Sequence, residues 1–305
     1  MTTPPLSAAM TRASGLPSRA PAWSLAVLSM TLIQLGAALS TGLFDVVGPA
    51  GTAWLRLCAG AAIFLALRRP RLRGRTRDEL VGALGLGVIS GLMTMAFLSA
   101  LARIPLGTTV AIEFLGPLAV AVLGTRRLRR LAWPVLALAG VFALTEPWTG
   151  AVDPLGIAFA AASAVGWGSY ILLTARVGDH FEGLEGLSVT IPVAAVTATL
   201  VAAPGAVGHV TPLVVAAAIG LALLMPVIPY SLELLALRRL TTAAFGTLMA
   251  LEPAIAMAMG AVILAQVPTP LQAAGVALVV AAGMGATRGG HRRSATEELA
   301  NTLVE

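Results

Sequence analysis

A chain of 305 residues that is 57% hydrophobic and only 11% charged, with a mean hydropathy of +0.89, departs from soluble globular composition, which is about half apolar and about a quarter charged. The +6 formal charge and the isoelectric point of about 11.1 would suggest nucleic acid in a soluble chain. Here all twenty basic residues are arginine and most fall in short connections between apolar runs, so sidedness in a bilayer explains them and no nucleic-acid partner is expected.

The predicted class is therefore an all-α integral membrane protein. A lone cysteine, Cys58, excludes an intramolecular disulfide and a thiolate metal cluster. His180, His209 and His291 fall in polar connections or the tail. No metal and no other cofactor is expected.

Residues 1–21 are rich in Pro, Ser and Thr, with Arg12 and Arg19, and lack an apolar core followed by a small-residue cleavage site. They read as a disordered cytoplasmic segment rather than a signal peptide. A spanning helix needs about 20 mainly apolar residues. Ten stretches qualify: 22–43, 50–67, 79–100, 105–124, 131–145, 154–175, 186–203, 211–235, 242–265 and 269–287. The fifth is short, but Arg126, Arg127, Arg129 and Arg130 precede it and Glu146-Pro147-Trp148 follow it. Residues 289–305 form a polar tail in which Ser294 to Glu297 match a capping box; a solvated cytoplasmic tail is the simpler reading.

Loop charge sets the orientation. With the amino terminus in the cytoplasm, 18 of the twenty arginines lie inside; Arg103 lies outside and Arg56 within a span. The positive-inside rule thus predicts ten transmembrane helices with both termini cytoplasmic.

An internal repeat is also visible. Ala100-Leu101-Ala102-Arg103 resembles Ala236-Leu237-Arg238-Arg239, and the same offset of 136 places Pro117 on Pro253 and Gly124 on Gly260. Five helices match five, and because five is odd the second half enters the membrane upside down. The expected organisation is a five-helix repeat over 22–145 and an inverted-topology repeat over 146–288, with a site near the midplane at their interface.

Charges inside spans mark candidates for that site, because lipid penalises them. Glu113 lies deep in the fourth span, and Pro117 leaves its backbone carbonyl without a helical donor. Glu252 sits mid-span before Pro253. By the repeat offset it falls three residues from the counterpart of Glu113, on the same face. Arg56 lies at a depth similar to Glu113, so it is expected to pair with Glu113 or to take a substrate carboxylate, the alternative being that it snorkels to the surface. Glu233, five residues before Arg238, reads as a local pair with Arg238 or Arg239. Gln34, Thr94, Trp167, Tyr170 and Tyr230 can line a pathway or bond a neighbouring helix. Pro226 and Pro229, with Pro117 and Pro253, are the expected helix breaks and gating points.

Four segments together resemble the EamA-type branch of the drug/metabolite transporter superfamily, and within it the threonine and homoserine exporters. They are Arg103-Ile104-Pro105-Leu106-Gly107, Ile112-Glu113-Phe114-Leu115-Gly116-Pro117, residues 229–240 beginning Pro229-Tyr230-Ser231-Leu232-Glu233, and residues 245–254 ending Leu251-Glu252-Pro253-Ala254. Asp153-Pro154-Leu155-Gly156, with Trp167 and Tyr170, also fits. The resemblance covers about residues 22–288. It implies a ten-helix bundle that exports small amino acids or related metabolites, driven by the proton gradient. The chain departs from the pattern at Thr94 and Leu98, where such exporters often carry Asn and Tyr, at Thr41 in place of a lysine, and at Gln266 in place of an acidic residue. The resemblance therefore carries the fold further than the substrate.

The expected function is a proton-coupled secondary exporter of the inner membrane working by alternating access. Its partners are a small molecule, protons and the bilayer; a second copy of the chain is left open. A drug or nucleoside permease of the same fold, or a non-transporting scaffold, are the alternatives. An intramembrane protease is disfavoured because no histidine or aspartate lies deep in a span, and an ATP-driven pump because no phosphate-binding Gly-x-x-x-x-Gly-Lys-Ser/Thr loop exists.

Overall fold

The computed structural model describes residues 21–67, 70, 76–122, 131–149, 153–177, 184–237 and 239–288, and the regular elements among them are all helical. The amino-terminal segment, the carboxy-terminal tail and most of the connecting arginines lie outside the described residues. The α-helices are α1 (Ala22–Ser40), α2 (Phe44–Leu67), α3 (Arg77–Leu101), α4 (Leu106–Glu113), α5 (Leu115–Val122), α6 (Ala132–Thr145) and α7 (Pro154–Val177). They continue with α8 (Leu184–Ala206), α9 (Pro212–Ala222), α10 (Ile228–Leu237), α11 (Thr242–Met249), α12 (Glu252–Leu264) and α13 (Pro270–Arg288).

Among the described residues, seven runs are long and apolar enough to cross a membrane, against the ten expected. The difference has three sources. Ala22–Leu67 forms one run of 46 residues that holds two expected spans, bent where Gly48 takes φ 71°, a conformation that costs glycine little. Leu106–Val122 is shorter than the rest. Finally, α6 has only 14 residues, about 21 Å at 1.5 Å per residue.

Local chemistry explains the element boundaries. A capping box starts α3: Thr76 Oγ1 accepts the Glu79 N–H at 3.3 Å while Glu79 Oε2 accepts the Thr76 N–H at 3.3 Å. Thr241 caps α11 by accepting the Ala244 N–H at 3.2 Å. The helix over 106–122 breaks after Glu113, whose carbonyl Pro117 cannot serve. The helix over 242–264 breaks after Met249 in the same relation to Pro253. Between α9 and α10 a wide turn at Leu223–Val227 leaves the helical conformation at Met225, next to Pro226.

The 136-residue offset recurs in the backbone. The Arg103 N–H bonds the Ala100 carbonyl at 2.8 Å, and the Arg239 N–H bonds the Ala236 carbonyl at 2.9 Å. The Phe114 N–H bonds Val110 at 2.9 Å, and the Ala250 N–H bonds Gly246 at 3.3 Å.

Packing is close where glycines meet backbone. α6 lies along α13, and a Cβ on Gly275 would stand 2.7 Å from the Gly140 carbonyl oxygen. α3 packs on α7 and α8, α2 on α8, α1 on α10 and α12, and α4 on α12. Three polar links cluster at the end bearing Arg103. Arg103 Nη1 meets Asp153 Oδ2 at 2.8 Å. Gln266 Oε1 accepts the Leu106 N–H at the start of α4, at 3.0 Å. Glu146 Oε2 accepts from Gln272 Nε2 at 3.0 Å. Asp153 also accepts the Leu155 N–H at 2.8 Å. The bond from Arg103 first, then that backbone bond, holds its carboxyl below the usual aspartate range.

Gly275→Ala drives a methyl group into a backbone carbonyl that cannot step aside. It is expected to cost about 1–3 kcal/mol, read as a lowered Tm in detergent. Gly220→Ala in α9, with nothing within 4 Å, is expected to be neutral or slightly stabilising.

Candidate transport site

Helices that must hide charge from lipid turn it toward a common interior. A cavity of about 410 Å³ lies among the broken and unbroken helices of both halves of the sequence. All eight residues expected on the pathway line it: Gln34, Arg56, Thr94, Glu113, Trp167, Tyr170, Tyr230 and Glu252. Glu233, Ser90, Thr190 and Met225 join them. The four prolines sit at or next to the helix breaks: Pro253 is buried directly after Glu252, Pro226 is buried in the turn between α9 and α10, Pro229 is buried at the start of α10, and Pro117 is half-buried in α5.

Each charged side chain has a different environment. Glu113 ends α4, and its Oε1 accepts a short hydrogen bond from Ser163 Oγ on α7. The same hydroxyl faces the Met93 carbonyl of α3 at 3.3 Å. Glu252 opens α12, is 5% exposed, and accepts from Gln34 Nε2 of α1 at 3.3 Å. Glu233 on α10 accepts from Ser29 Oγ of α1 at 2.9 Å. Arg56 is 2% exposed, makes no ion pair among the described residues, and donates only to Ser40 Oγ at 3.4 Å. Trp167 is held edge-on to Phe114 with ring centroids 6.4 Å apart, a favourable aromatic geometry.

The expected pairing of Arg56 with Glu113 is not observed, nor is that of Glu233 with Arg239. Arg56 is neither paired with Glu113 nor snorkelled to the surface: its guanidinium stays inside against Ser40, and Glu113 takes the Ser163 hydroxyl instead. Depth along a helix sets how far in a residue lies but not which way it faces. Glu233 does not form an ion pair with Arg239, while Arg238 lies outside the described residues; Glu233 turns inward to Ser29. Gln266 caps α4 and Leu98 is fully buried in the apolar core, so neither departure from the family pattern faces the cavity.

Ser163 is the residue that sequence reading missed. It is fully buried within the Ala-rich helix α7, and small hydroxyl residues there ordinarily serve helix packing. Four residues would separate it from Trp167 on the same face, which is the one signal that pointed to it.

A multi-pass helical bundle whose polar and charged side chains converge on an internal cavity has the build of a membrane transporter. The sequence comparisons name the family. The model of the EamA-like transporter family matches residues 154–287. The threonine/homoserine exporter RhtA of Escherichia coli (strain K12) is 35% identical over 280 residues, covering 90% of this chain and 93% of that one. RhtA of Salmonella typhimurium (strain LT2) is 35% identical over 268 residues, covering 86% and 89%. The chain belongs to the EamA-like transporter family. A solved crystal structure at 22% identity shares the fold, with a TM-score of 0.56 over 88% of this chain and 99% of its own.

Ser163→Ala removes the donor that reaches the buried Glu113 carboxyl and is expected to cost about 1–3 kcal/mol of unfolding free energy in detergent. Ser188→Ala, equally buried but bonded only back to the Glu185 carbonyl at 2.8 Å, is expected to cost less, about 1 kcal/mol at most.

Proposed function

We propose that the chain is a secondary exporter of the inner membrane that moves threonine, homoserine or related small polar metabolites outward, coupled to protons, by alternating access. The single observation that carries the reading is the cavity, lined inside an apolar bundle by three carboxyl groups and by a guanidinium with no ion pair among the described residues. A charge so placed is costly unless it serves transport or is paired. The names of the relatives at 35% identity supply the substrate class.

In this reading the protein crosses the membrane ten times, with both termini cytoplasmic, as two inverted five-helix repeats. Two observations support it. The turns at Arg103 and Arg239 and the breaks at Phe114 and Ala250 recur at one offset. Packing is also exchanged between halves: α3 lies on α7 as α10 lies on α1, and α3 lies on α8 as α9 lies on α2. Under that topology Ala83, Thr174, Gly186 and Leu237, which line the cavity, stand at its cytoplasmic end. The links at Arg103–Asp153, Gln266–Leu106 and Glu146–Gln272 close the outer end. Substrate enters from the cytoplasm, and rocking of the halves about the broken helices parts the outer links.

Glu113 is the proposed proton carrier. When it is ionised, Ser163 donates to it. When it is protonated, its own O–H donates to Ser163 Oγ and the serine turns to the Met93 carbonyl. Both states are satisfied without moving a helix, which lowers the cost of changing between them.

Overexpression is expected to relieve growth inhibition by excess threonine or homoserine; protection only against unrelated dyes or nucleosides would replace the substrate class. In inverted membrane vesicles, Glu113→Gln is expected to abolish pH-driven threonine uptake at unchanged protein level. Uptake that stays as steep in pH would remove Glu113 from the proton path.

A further inference from the structure

Two acceptors on one wall of the cavity lack a donor. Gln34 is 2% exposed and Glu252 5% exposed. The bond between them, Gln34 Nε2 to Glu252 Oε1 at 3.3 Å, fixes the amide orientation when Glu252 is ionised, because a carboxylate only accepts. That leaves Gln34 Oε1 and Glu252 Oε2 buried with no hydrogen-bond partner among the described residues. Native proteins seldom leave such atoms unserved.

The α2 side of the cavity has the opposite imbalance. Arg56 offers five N–H donors and, among the described residues, uses them on a single contact, Ser40 Oγ at 3.4 Å. With Glu252 ionised, the cavity presents surplus acceptors with one negative charge at Gln34 and Glu252, and surplus donors with one positive charge at Arg56. A hydroxyl group supplies one hydrogen and no charge, so it matches neither end well. A transition-metal ion fits poorly too, because the described residues hold no metal-binding cluster of three His, Cys, Asp or Glu side chains. A primary ammonium supplies three N–H donors and a positive charge.

Resting on the transporter reading above, we propose that Gln34 and Glu252 form the subsite for the substrate's α-ammonium group, with Arg56 taking its carboxylate. The site then selects free zwitterionic amino acids and discriminates against those blocked at either end. The two subsites come from helices of different halves of the chain, Arg56 and Gln34 from the first and Glu252 from the second, so a bound zwitterion ties the halves together.

The test is calorimetric titration of the full chain in detergent with threonine, homoserine, N-acetylthreonine and threonine methyl ester. In the native protein, free threonine is expected to bind about tenfold or more tightly than either blocked form. Glu252→Gln is expected to weaken threonine about tenfold and to leave N-acetylthreonine, which has no ammonium to lose, within about twofold. Gln34→Met is expected to act in the same direction to a smaller extent and serves as the second variant if Glu252→Gln does not fold. Equal weakening of threonine and N-acetylthreonine would overturn the subsite while leaving amino-acid transport standing. Binding of the methyl ester but not of threonine or homoserine, lost in Glu252→Gln, would keep the subsite and overturn the substrate. Failure of every ammonium-bearing compound to bind the native protein would overturn both.

Discussion

Hydrocarbon cannot solvate a charge, and among the described residues this chain carries four ionisable side chains on the cavity inside its bundle. The architecture follows from where those four are allowed to go. Arg56, Glu113, Glu233 and Glu252 all line one cavity, while large apolar side chains such as Leu200, Leu213 and Val262 face outward. Gathering the charges in one place keeps the rest of the surface compatible with lipid. It also leaves a pocket whose polar atoms are incompletely served from within, which is the property a substrate site needs.

The breaks in the helices are the means of doing this. A proline four residues after Glu113, and another four after Met249, end one helix and start the next at the depth of the cavity. Glu113 therefore closes α4 and Glu252 opens α12. The break at Met225 does the same for the wall between α9 and α10, and Gly36 and Gly60 let α1 and α2 approach it closely, with Cβ positions 3.2 Å from Leu224 and 3.3 Å from Pro226. Elsewhere the bundle is tight: Gly140 and Gly275 bring α6 and α13 nearly into backbone contact. A rigid periphery around an interrupted centre is the mechanical form in which rocking of two halves is proposed.

Much of the candidate site was legible because membrane composition makes polar residues rare. In a stretch such as 105–124, a single glutamate stands out against apolar neighbours, and its burden is a matter of solvation alone. Partners were not legible. Arg56 and Glu113 lie at similar depths, but depth follows from counting residues, whereas the direction a side chain faces depends on how its helix is rotated against its neighbours. Glu233 was read toward Arg238 or Arg239 because they are close in sequence; packing of α10 on α1 gives it the Ser29 hydroxyl, while Arg238 lies outside the described residues. Ser163 carried only the weak signal of its four-residue spacing from Trp167, and a serine in an alanine-rich helix commonly does nothing more than pack.

The amino-acid sequence alone determined the class of protein, the membrane environment, the prolines at which helices break and the set of polar residues that have to be hidden. Those follow from hydrophobicity and from covalent geometry, both of which act along the chain. Tertiary structure alone decided that these residues share one cavity, that Ser163 rather than Arg56 meets Glu113, and that Gln34 and Glu252 bond each other while each keeps a free acceptor. Those depend on contacts across 50 to 218 residues of sequence, which no local pattern encodes.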